Sequence, residues 1–223
     1  MKKSTYSLIL SDGVVEAIDR LAHTQKTSRS SLINEILAKH VSYITPEQRM
    51  QDIFKRIQSA LPSQEGYSFP AMQSPAFLDV RAVMKYKYSP TIRYCLELYK
   101  GDAPLGRLRV SLRSQSEQLL TDMARFFQLW ERLEQTYLRT NYPQGVPCVC
   151  GSCTYTRDFY LPAEEDQYAD ITDEELGKAI ALYVTAMDST LKIYLNHLSD
   201  PDSMWDRAAK HYLQYLIDAD VVI

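Results

Sequence analysis

Six residues near the N-terminus restrict the fold more than any other part of the chain. Thr5 to Leu10 alternates Thr5, Ser7 and Ile9 with Tyr6, Leu8 and Leu10, the period of a half-buried β-strand. Helical sequence follows at once. Ser11-Asp12 signals the start of a helix reaching about Thr24, and Thr27-Ser28-Arg29-Ser30-Ser31 opens a second, reaching about Tyr43. No second strand lies within hairpin distance. A lone strand cannot stand in water, because its backbone groups need partners and its apolar side needs cover. The simplest partner is the same strand of a second copy, antiparallel across a two-fold axis. Tyr6, Leu8 and Leu10 of both copies then rest on the helices, and Thr5, Ser7 and Ile9 face outward.

The pattern Lys2-Lys3-Ser4-Thr5-Tyr6-Ser7-Leu8-Ile9-Leu10-Ser11-Asp12, then Val14, Ile18, Leu21 and Ala22, then Thr27 to Ile33, resembles the ribbon-helix-helix family of bacterial DNA-binding proteins, the MetJ, Arc and CopG type. The resemblance covers about a fifth of the chain. It implies a homodimer, double-stranded DNA as partner, and transcriptional regulation, repression first. A two-stranded ribbon fits the DNA major groove, where small hydroxyl side chains reach base edges. The base-reading candidates are Thr5, Ser7 and Ile9, of which Ile9 can touch a thymine methyl but cannot hydrogen-bond. Lys2, Lys3, Ser28, Arg29 and Ser30 are the phosphate candidates, because the start of a helix offers free N–H groups to an anion. The chain departs from the family at Lys26, where the inter-helix turn often has Gly.

Charge supports a reader of sequence over a general coat. The net charge is −3, but residues 1–58 hold nine Lys and Arg against six Asp and Glu, and the remainder holds 16 against 22. A mildly basic head on an acidic body suits selective rather than massive nucleic-acid binding. The N-terminus has no apolar leader and no run approaches a membrane span, so the expectation is a cytoplasmic protein without membrane contact.

The chain divides in sequence into residues 1–45, a helical linker and loop over 46–75, and an effector or oligomerisation domain over 76–223. Glu47 to Leu61 reads as an amphipathic helix and Pro62 to Pro75 as a boundary loop. Strands are expected over Phe77–Tyr88, Thr91–Tyr99 and Leu105–Arg113, forming a small antiparallel meander with one wet face. Three long helices follow: Ser114 with Glu117 as a capping box to about Arg139, Thr172 with Glu175 to about Leu198, and Asp200-Pro201 to about Ile217. A short strand is expected at Thr154 to Leu161. The fold class is α+β.

Two constellations in the body bear chemistry. Cys148, Cys150 and Cys153 put three thiols within six residues, a set able to offer ligands to zinc, to act as a redox switch, or to pack as small buried groups. Lys85, Lys87, Arg107, Arg109 and Arg113 form a cationic stripe suited to an anionic effector. His23, His40, His197 and His211 have no ligand spacing. Phosphate-loop, dinucleotide, nucleophile-elbow and zinc-protease signatures are missing, so no enzyme is expected. The competing reading is an antitoxin-like or other protein-interaction module that dimerises through its head.

Overall fold

The computed structural model describes residues 7–62, 66–70, 74, 76–84, 86, 89–100, 103–162, 171–200 and 203–223. The chain forms two compact units, residues 1–49 and 50–223. The protein is of mixed α+β class, and its described residues hold six helices and one antiparallel sheet.

The first unit contains α1 (Asp12–Thr24), α2 (Arg29–His40) and the first turn of α3 (Pro46–Ala60). Among the described residues the expected strand is not formed. Ser7 to Leu10 lie exposed outside any strand or helix, and Lys2, Lys3, Thr5 and Tyr6 lie outside the described residues. The described residues offer Ser7 to Leu10 no ladder to join, and an extended backbone without a ladder is not a strand.

Both helices end in the same way. After α1, Thr27 N–H bonds Ala22 C=O at 3.0 Å and Lys26 N–H bonds His23 C=O at 3.2 Å. After α2, Tyr43 N–H reaches Ala38 C=O at 2.8 Å and Ser42 N–H reaches Lys39 C=O at 3.3 Å. This paired closure turns the chain through one left-handed residue. Lys26 (φ 51°) and Ser42 (φ 55°) fill that position, so the turn needs the conformation glycine adopts most easily and obtains it from a lysine.

The second unit is two layers. Its sheet runs β1 (Tyr67–Ser68), β2 (Phe77–Val83), β3 (Thr91–Leu98), β4 (Gly106–Leu112), β6 (Thr154–Phe159), β5 (Cys148–Cys150), every pair antiparallel. Alternation decides the faces. Leu78, Val80, Ile92, Tyr94, Leu96, Leu108, Val110, Tyr155 and Phe159 are buried, while Arg81, Arg93, Arg107 and Arg109 face water. The helices α4 (Glu117–Tyr137), α5 (Asp173–Asn196) and α6 (Met204–Asp218) share one core with the buried sheet face, and so do Ile53, Phe54 and Ile57 of α3. Aromatic contacts join the layers: Phe127 of α4 stacks on Tyr155 at 5.7 Å, and Phe159 meets Tyr183 of α5 edge-on at 5.8 Å.

Several local expectations change. The α4 cap is Ser116, whose Oγ accepts from Leu119 N–H at 3.3 Å, while Ser114 Oγ accepts from Ser116 N–H. Helix α6 starts at Met204 after Ser203, with Asp200 accepting from the Ser203 hydroxyl at 2.5 Å. The box of Thr172 and Glu175 at the start of α5 is present as read. Strands β1 and β5 stand where only loop was expected; each is two or three residues long, too short for periodicity to register.

Candidate functional site

The first unit is built around too little core to close on itself. Ala22, Leu32 and Ala38 are buried, but Val14, Leu21, Ile36, Leu37, Val41, Tyr43 and Ile44 are exposed. So are Leu8 and Leu10, and Ile9 is fully exposed at 103%. Apolar side chains on two adjacent helices and the preceding segment therefore meet water together. Single exposed leucines are ordinary; this many in a unit of 49 residues is a large exposed apolar share for so small a unit.

The phosphate candidates beside it are partly engaged. Ser28 caps α2, its Oγ accepting from Ser31 N–H at 3.1 Å and donating to Ser31 Oγ at 2.9 Å. Arg29 is held by Asp19 of α1, with Nε 2.6 Å and Nη2 2.5 Å from the two carboxylate oxygens. That bidentate pair pulls the Asp19 carboxyl below its usual range and raises the arginine. Asp19 takes the Nε and Nη2 edge of Arg29 and offsets its charge, leaving Nη1 to a further acceptor. The backbone N–H groups at the start of α2, and exposed Ser30, remain on that end of the helix. Ser7 and Ile9 are exposed, while Lys2, Lys3 and Thr5 lie outside the described residues.

The cysteines separate. Cys148 and Cys150 alternate onto one side of β5 and meet Glu131 of α4. Cys148 Sγ lies 3.6 Å from Glu131 Oε1, and Cys150 Sγ lies 3.2 Å from Oε2. Burial, then the Glu131 carboxylate, pushes Cys148 up to about 11; the same causes push Cys150 up to about 12. Both are therefore thiols donating to a carboxylate, an environment opposite to that of a reactive cysteine. Cys153 sits in the β5–β6 turn, and Cys95 is on β3 beside Arg109. All four are free. Among the described residues no group of three or more His, Cys, Asp or Glu is arranged to hold a metal, so the zinc expectation for Cys148, Cys150 and Cys153 gains no geometry.

Of the cationic stripe, only the three arginines are described. Lys85 and Lys87 lie outside the described residues. Arg107 is paired with Asp158 across β4 and β6, at 2.5 and 3.2 Å, and on the same sheet face Asp79 takes Arg93 and Arg81 at 2.6 and 3.3 Å. Arg109 and Arg113 stay exposed. The face carries ion pairs across strands, Arg93 with Asp79 and Arg107 with Asp158, and one within β2, Arg81 with Asp79, and such pairs at a surface stabilise little.

Sequence reading missed the most unusual electrostatics in the chain. Arg157 is wholly buried, with Nε 2.8 Å from Oε1 of buried Glu134, and its Nη2 donates to the Ile223 carbonyl. Tyr183 and Tyr155 donate to the two oxygens of the same carboxylate at 2.9 and 2.6 Å. The signal was present: Arg157 stands at the inward parity between Tyr155 and Phe159. A second buried carboxylate, Asp188, accepts from Tyr94 at 2.7 Å and from Tyr67 at 3.1 Å and pairs with Lys192 at 2.8 Å. These groups fasten helices to sheet.

Comparison with family models, curated protein sequences and solved structures finds no match to this chain. Its class rests on its own architecture: a small helical head and an α+β body. No helix among the described residues is long and apolar enough to cross a membrane.

Proposed function

We propose that the protein is a homodimeric, sequence-specific DNA-binding regulator of transcription, a repressor in its simplest form, whose first unit is completed by the same unit of a second copy. One observation carries the reading: the first unit leaves Val14, Leu21, Ile36, Leu37 and Val41 exposed on its helices and Ser7 to Leu10 without a ladder. A twin segment paired across a two-fold supplies the missing backbone partners and cover together. The resulting ribbon presents Thr5, Ser7 and Ile9 to base edges, and the start of α2 faces the backbone phosphates.

The test has two parts. Sedimentation of the full chain should give a dimer, and selection from random duplexes should return a consensus with two related half-sites. Ser7→Ala should change the consensus, whereas Arg29→Ala should weaken all sequences alike and flatten the salt dependence. Asp19→Asn should strengthen binding by releasing Arg29. A monomer, or a dimer that enriches no sequence and captures only a protein, overturns the reading.

A further inference from the structure

The body carries a cleft of about 600 Å³ beside the C-terminal half of α4, within the usual size range of small-molecule sites, on the order of 300 to 1,000 Å³. Its helical wall presents Arg132, Gln135 and Thr136 of α4, and Arg139 lies just past the helix, which ends at Tyr137 with Leu138 as its C-cap. The turn after α4 supplies the rest, including Gln144. That turn is closed by Gly145 N–H on Tyr142 C=O at 2.8 Å, with Gly145 at φ 77°.

We propose that this cleft binds a small organic or inorganic oxyanion, one bearing carboxylate or phosphoryl groups, between Arg132 and Arg139. Neither guanidinium has a carboxylate partner among the described residues. Both are exposed along the cleft. Arg132 is held in place by stacking 4.8 Å over the Trp205 ring, so less freedom is lost when it grips a ligand. Glu134 also lines the cleft, but its charge is offset from behind by Arg157 at 2.8 Å. The mouth therefore keeps the guanidinium charges of Arg132 and Arg139, and Gln144 adds an amide, while Gln135 Nε2 already donates to Glu131 at 3.3 Å. Guanidinium forks match the paired oxygens of carboxylate and phosphate. Arg132 on the penultimate turn of α4 and Arg139 just beyond its C-cap line the same cleft. This site does not depend on the DNA-binding reading.

Calorimetric titration of the full chain at low salt, with glutarate, inorganic phosphate and acetate as probes, tests it. Glutarate or phosphate should bind, acetate more weakly, and the preferred probe distinguishes a carboxylate from a phosphoryl ligand. Arg139→Ala and Arg132→Gln should each lower the affinity by about tenfold or more, while melting curves without ligand stay close to the parent. Absence of heat from all three probes up to about 10 mM, or equal affinity in both variants and the parent, overturns the proposal.

Discussion

Lys26 shows how one backbone angle is borne by an ill-suited residue. At φ 51° its Cβ crowds the following carbonyl, a conformation costing about 1 kcal/mol for a non-glycine residue. Lys26→Gly should relieve that strain and, after the entropy glycine loses on folding, stabilise the first unit by roughly 0.5 kcal/mol. The check is a higher urea midpoint at unchanged slope. Glu131 acts on the two thiols of β5 in the opposite sense to an activating base. With Cys148 near 11 and Cys150 near 12, alkylation by iodoacetamide at pH 8 should be slow at both. Glu131→Gln should speed it several-fold, because removing the carboxylate lowers both thiols while burial still holds them high. Mass mapping of the alkylated cysteines reads this out; fast labelling of Cys148 and Cys150 in the parent would contradict it.

At the scale of elements, the Glu134–Arg157 pair fastens α4 to β6. Both side chains are buried, so neither loses its charge partner without leaving an isolated ion in the core. Arg157→Met and Glu134→Leu should each destabilise the body by about 3 to 5 kcal/mol. The double variant should lose far less than the two losses added, because an apolar pair leaves no ion behind. A double-mutant cycle in urea measures the coupling, and simple additivity would mean that the two charges do not interact. Phe159 closes the β4–β6 ladder opposite Gly106, where an added side chain would meet the Glu97 carbonyl at 2.3 Å.

For the whole molecule, the body carries its own core, whereas the first unit leaves apolar residues exposed that the proposed dimer would cover. The body should therefore melt at a temperature independent of concentration, and the first unit should not. Acid should weaken the body through His211. Its ring lies 2.9 Å from Thr190 Oγ1, and burial lowers it from the usual 6.5. The unfolded chain thus takes up the proton first, and stability from this group is present above about pH 6.5 and lost as pH falls below it. Urea midpoints at pH 7.5 and 5.5 should fall in that order, and His211→Asn should shrink the difference.

Sequence alone determined the local elements. Alternation at Leu108, Val110 and Leu112 marked a strand, the Thr172 and Glu175 box marked the start of α5, and the stripe from Leu119 to Trp130 marked α4, because these patterns are set by neighbours a few residues apart. Tertiary structure decided what depends on residues far apart in the chain. It drew Cys148 and Cys150 to Glu131, consumed Arg107 on Asp158 and Arg29 on Asp19, buried Arg157 against Glu134, and left Arg132 and Arg139 open on a cleft. A side chain's type states which partner it can accept; only packing brings that partner within about 3 Å, and Ser7 to Leu10 join no strand ladder among the described residues.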